Sequence, residues 1–173
     1  MKATQMERAR MAASGGGGAP ATLVPGLYTD YLPANMMSRA RDFFGYAVQQ
    51  LPLAVNAIAT PTFSVNTDAD FLAVALSGVA RDPAAPTTVF AAPAITLQVT
   101  LQGASRNLYS QAVDWYSVVG TGQEPAYMPY PKLIARGSTV TLTFTNLDAA
   151  QAYNVRLVVL GFKIFSWSRE DGE

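Results

Sequence analysis

The chain has 173 residues and 18.4 kDa, the size of one domain or of one domain with an arm. Half of its residues are hydrophobic and 14% are charged, against about 25% in an average soluble domain, and twelve bases balance twelve acids. It has no cysteine and no histidine. That excludes disulfides, thiolate and imidazole metal sites, cysteine nucleophiles and histidine-based triads. A net charge of zero gives no electrostatic case for nucleic acid or an anionic membrane.

In chain order, residues 1–45 read as an N-terminal arm. It opens on Met-Lys-Ala-Thr-Gln-Met-Glu-Arg-Ala-Arg, which lacks the apolar stretch of a signal peptide, and runs into the glycines 15–18. Leu23, Leu27, Tyr28, Tyr31 and Leu32 then stand among Pro25, Gly26 and Pro33 with no clean period, as in an extended segment lying on another surface. Asn35 is placed to cap a short helix, Met36 to Gly45.

From residue 46 the pattern turns to strands. Tyr46–Val55 is apolar but broken by Pro52, which marks an edge strand or a bulge. Thr62–Asn66 alternates, and Phe71–Val79 is apolar throughout, as in a strand covered on both sides. Residues 81–94 form a breaker-rich loop. Ile95–Gln102 alternates strictly, with Ile95, Leu97, Val99 and Leu101 on one side. One or two short strands fit Leu108–Val119. Gly120–Lys132, with three prolines, reads as a long irregular loop. Ser138–Asn146 alternates with Val140, Leu142 and Phe144 inward, and Ala152–Phe165 is the last strand. Short strands joined by uneven loops predict an all-β fold, a jelly-roll-like two-sheet β-sandwich over 46–168, followed by an acidic tail at 169–173.

Candidate chemistry is thin. Asn66, Asp68 and Asp70 imitate the first half of a calcium loop, but Phe71 and Ser77 stand where glycine and glutamate are required. Gly120 and Gly122 are followed by no phosphate-binding Gly-Lys-Ser/Thr. Ser138 with Lys132 and Arg136 lacks a third supporting group. Asp68, Asp70, Asp82, Asp114, Glu124 and Asp148 sit mostly beside turn residues, so a glycosidase pair is not expected. No catalytic residue, cofactor or metal is assigned, and an enzyme is not expected. Trp115 and Tyr116 read as core, while Tyr127, Met128 and Tyr130 read as a protein–protein contact.

The charge distribution carries the most information. Residues 43–168 hold six basic and six acidic groups in 126 positions, and the outward strand positions are Thr, Gln, Ser and Asn. Such a surface is easily desolvated against a neighbour.

The run Gly-Thr-Gly-Gln-Glu-Pro at 120–125, the segment Pro-Tyr-Pro-Lys-Leu-Ile-Ala-Arg-Gly-Ser-Thr-Val-Thr-Leu-Thr-Phe-Thr-Asn at 129–146, and Tyr-Asn-Val-Arg-Leu-Val-Val-Leu-Gly-Phe-Lys-Ile-Phe at 153–165 resemble virion structural proteins of tailed bacteriophages. Thr67-Asp-Ala-Asp-Phe71 fits the same pattern, and about 100 of the 173 residues are covered. The resemblance implies a jelly-roll capsid cement (decoration) or minor capsid protein in the virion, assembled in the host cytoplasm. Its implied partners are the major capsid protein and itself, as a homotrimer. A tail, baseplate or head-fibre anchoring protein is the nearest alternative. A carbohydrate-binding sandwich using Tyr127 and Tyr130 on glycans is the third and is not favoured. Neither nucleic acid nor membrane is expected as a partner.

Overall fold

Two residue patterns, strict alternation and continuous apolar runs, become two antiparallel sheets packed face to face. The structure is a computed structural model and describes residues 36, 39–102 and 106–168, all within one compact unit, Tyr31–Glu173. In chain order the strands are β1 (Arg39–Leu53), β2 (Ile58–Ala59), β3 (Thr62–Ser64), β4 (Ala69–Arg81), β5 (Val89–Phe90), β6 (Ile95–Leu101), β7 (Arg106–Asn107), β8 (Val113–Asp114), β9 (Ala126–Ile134), β10 (Thr139–Asn146) and β11 (Tyr153–Ser168). A four-residue helix, α1 (Trp115–Val118), follows β8.

One sheet runs β1-β11-β4, with β9 and β5 pairing successive stretches of the far side of β4. The other runs from β2 and β3 through β10 to β6, with β7 and β8 beyond. Take β2 with β3 as one rail, β7 with β8 as another, and β5 as an extension of the loop before β6. Eight rails then run 1-8-3-6 in the first sheet and 2-7-4-5 in the second. That strand order is the jelly roll, a sandwich of two Greek keys.

The alternating strands behave as their sequences dictate. In β6, Ile95, Leu97 and Val99 are buried, and in β10, Val140, Leu142 and Phe144 are buried. Thr96, Gln98 and Thr100 face Thr145, Thr143 and Thr141 across the pair on the outer side. Opposite them, Tyr153, Val155, Leu157 and Val159 of β11 close the core, with Trp115 of α1 packed on Phe144 at 6.1 Å between ring centroids.

Strand β4 is buried along nearly its whole length, on both parities, and its phase changes midway. Leu76 and Ala80 face the core opposite Val159 and Val155. A bulge between Leu160 and Gly161 then leaves Val74 unpaired on β4, and Ala73 and Phe71 become the core residues, opposite Gly161 and Lys163. A bulge of this kind exchanges the residues that face the core for their neighbours.

Three expectations are corrected. Residues 39–45 form no helix after Asn35; they begin β1, which pairs with β11 from Arg39 onward, so the sandwich starts at Arg39 rather than at Tyr46. The Phe43–Val48 run is β-branched and aromatic enough to be a strand, and its cross-strand partners outweigh local capping signals. Ala126–Ile134 is strand β9, not loop: its prolines are tolerated because it lies at a sheet edge. Trp115–Val118 is helical rather than extended. The rest of the expected arm, 1–35 with the anchors Leu23, Leu27, Tyr28, Tyr31 and Leu32, lies outside the described residues, as does the acidic tail 169–173.

Candidate interaction surfaces

Four of the acidic residues, Asp68, Asp70, Asp82 and Asp148, accept hydrogen bonds that tie down turns or strand ends. Asp68, in the turn before β4, accepts a 2.9 Å hydrogen bond from Lys163 Nζ, and this bond holds its carboxyl below the usual carboxylate value. Lys163 is buried on β11, and its ammonium also lies 4.5 Å from the centre of the Phe44 ring. Asp70 accepts the backbone N–H of Arg136 at 3.0 Å and faces the Arg39 guanidinium at 3.9 Å. The two carboxylates of the calcium-like spacing are thus aimed at different partners. Among the described residues no cluster of three or more acidic side chains is placed to hold a metal ion. Ser64, Val65, Asn66, Thr67, Asp68 and Gly137 line a shallow, open depression at this end.

At the other end a second network was not foreseen from sequence. Asn146 is 1% exposed at the end of β10. Its amide donates to Ala54 O and Gln151 O, both at 2.9 Å, and its Oδ1 accepts from Asp148 N at 2.9 Å. Asp148 accepts from the N–H groups of Ala150 and Gln151 and from the Tyr153 hydroxyl at 3.2 Å. The two backbone donors hold the Asp148 carboxyl below its ordinary value, while burial pushes the Tyr153 hydroxyl up. A buried amide with both ends satisfied fixes the β1–β2 and β10–β11 loops together. The only sequence signal for it was an Asn in phase with Val140, Leu142 and Phe144.

The expected contact residues divide. Tyr127, Met128 and Tyr130 stand on β9, where the register against β4 slips between Ala73 and Ala75. Four β9 residues, Met128 to Pro131, therefore face Val74 alone, and the strand bows outward. Tyr130 is 72% exposed and Tyr127 49%, whereas Met128 packs against the core. Trp115 and Tyr116, read together as core, part company: Trp115 is buried and Tyr116 is exposed.

The two outer faces differ in chemistry. Outside the β10–β6 pair lie Thr96, Gln98, Thr100, Thr139, Thr141, Thr143 and Thr145, tied by Gln102 Nε2 to Thr141 at 3.2 Å. Outside the β1–β11 pair lie Phe43, Gly45, Ala47, Val158, Leu160 and Phe162. Phe43 is 56% exposed, with its ring edge-on to Phe162 at 5.8 Å. One sheet presents hydroxyls and amides; the middle of the other presents hydrocarbon, between Arg41 and Arg156.

No family model matches the chain, and no curated protein matches it. Among solved structures it is similar to the infectious bursal disease virus VP2 subviral particle in its crystal structure, at 14% identity and a TM-score of 0.37. The likeness covers 72% of this chain and 33% of that one, so the chain spans a third of that neighbour's length. The jelly-roll assignment rests on the strand order of the chain itself.

Proposed function

We propose that the chain is a virion structural protein, a capsid cement or decoration subunit of a tailed bacteriophage that binds the major shell protein and copies of itself. Contact, not catalysis, is its work. One observation carries this reading: a charge-poor jelly roll with one polar outer face and one hydrocarbon outer face at the β1–β11 pair. Jelly rolls serve capsids, lectins and cupins alike, so the surface and not the fold points to a covered subunit. Covering apolar area stabilises by about 25 cal/mol per Å². A cement bound at many equivalent seams adds such contacts wherever internal pressure would open the shell.

The test is copy number in purified particles, by gel densitometry against the major shell protein. Cement is present in hundreds of copies per particle. A few to some tens of copies would point instead to a tail, baseplate or head-fibre anchor, and absence from particles would end the virion reading. A second reading has Tyr127 and Tyr130 in its favour, two exposed rings on the bowed edge strand β9, which suit stacking on sugars. Binding on a glycan array that is lost in a Tyr127→Ala/Tyr130→Ala variant would support that reading.

A further inference from the structure

Among the described residues the two sheets end in four edges, and three carry the features that keep strands from adding to one another. β2 and β3 are two and three residues long. β7 and β8 are two residues each. β9 holds Pro129, Pro131 and Lys132 and bows away from β4. Strand β1 is different. It is fifteen residues long, and among the described residues it pairs with β11 on one side alone. Its blocking features sit at its ends: Arg39, Arg41 and Asp42 before, and the register slip between Val48 and Leu51 with Pro52 after. Between them, Phe43-Phe44-Gly45-Tyr46-Ala47-Val48 has no charge and no proline. An uncharged window of high strand propensity at a sheet edge is a pairing site.

We propose that a second copy of the chain adds at this edge, β1 against β1, antiparallel about a twofold axis at Gly45. The strand is complementary to itself in that register. Phe43 lies across from Ala47, Phe44 from Tyr46, Arg41 from Gln49, and Asp42 from Val48. No two like charges meet, and each large ring at 43 faces a small residue, twice by symmetry. The pairing joins the two β1-containing sheets into one continuous sheet. It also brings the two hydrocarbon faces around Phe43 and Phe162 side by side, where each shields the other's margin. The inference does not depend on the virion reading, since it needs only the edge and its sequence.

Size-exclusion chromatography with light scattering on the full chain tests it. The expected mass is twice the 18.4 kDa of the monomer. Phe43→Lys/Ala47→Lys places lysines at two exposed positions, and its mass should fall to that of the monomer with the far-UV circular dichroism unchanged. A Phe43→Cys/Ala47→Cys variant supplies the only cysteines in the chain and tests the register without adding charge. Within one strand these positions are about 13 Å apart and cannot bridge, whereas directly opposed residues can. Mild oxidation should therefore give a covalent dimer on a non-reducing gel. A parent chain that is monomeric at its highest attainable concentration overturns the proposal. So does a trimer, an oligomer indifferent to the lysines, or a cysteine pair that yields no covalent dimer. A chain that is monomeric alone but captures an extended segment of another protein at β1 also overturns it.

Discussion

Gly161 sits where β4 changes phase, and replacing it with alanine tests whether that change holds the core together. A Cβ built there would lie 2.1 Å from Leu72 O, 2.9 Å from Leu72 C and 2.7 Å from Phe71 Cζ. Ordinary contact begins near 3.4 Å, so β4 must retreat from β11 by more than an ångström or the bulge must dissolve. The nearest atom, Leu72 O, belongs to the backbone, which no rotamer change can move. Overpacking costs typically about 1–3 kcal/mol, and a clash with a backbone oxygen belongs at the upper end, about 3 kcal/mol. Against a total of about 5–15 kcal/mol, that multiplies the unfolded population more than about a hundredfold. If the bulge dissolved instead, Phe71 and Ala73 would turn to the outer face, and the Phe71–Tyr46 ring contact at 4.9 Å would be lost. The assay is urea unfolding followed by tryptophan fluorescence, with buried Trp115 as the probe. Gly122→Ala is the control, since its Cβ would meet nothing within 4 Å. If Gly161→Ala stays within about 0.5 kcal/mol of the parent, as an ordinary surface change does, the phase-change argument is wrong.

Trp115→Ala should cost about 3–5 kcal/mol by the cavity it leaves on Phe144, while Tyr116→Ala next to it should stay within about 0.5 kcal/mol; the same urea titration separates them. Stability should fall in acid. Asp68 and Asp148 have folded values below the ordinary 3.8, so their contribution is present above that value and is lost as pH falls through the lowered ones. Urea midpoints between pH 6 and pH 2 should therefore drop, and Asp68→Asn should flatten part of the drop; an unchanged slope would refute the Lys163 pairing. At the other extreme, Tyr109 and Tyr153 have raised values, so stability should also decline as pH rises above 10, with Tyr153→Phe reducing the decline. Deleting residues 1–33 should lower retention on phage shells in a sedimentation assay, and equal occupancy would deny the segment any role in binding.

What could be seen in the residues depended on whether a strand has one wet side. β6 and β10 were legible in full, because Thr and Gln alternate with Ile, Leu, Val and Phe and leave one parity to solvent. β1 begins where no such contrast exists: Phe43 and Phe44 are both aromatic though one is exposed and one packs on the core, so Asn35 and Gly45 looked like helix ends. β9 was hidden by Pro129 and Pro131, whose meaning depends on which strands neighbour them, and that is decided only in the sheet. The bulge at Gly161 and the buried role of Lys163 had no local signature, since both depend on the strand β11 meets across the sheet. Of the expected contact residues, Tyr127 and Tyr130 are surface-exposed on β9, and Met128 packs inward because it alternates with outward-facing Tyr127.

The threonine ladder on the β10–β6 face has a consequence for handling the protein. Lysine and glutamate in those places would attract counter-ions, and any association through them would weaken as the Debye length shrinks from about 10 Å at 0.1 M to 3 Å at 1 M. Hydroxyls and amides have no ion atmosphere to lose. Whatever this face touches, it should hold equally well in dilute buffer and in molar sodium chloride.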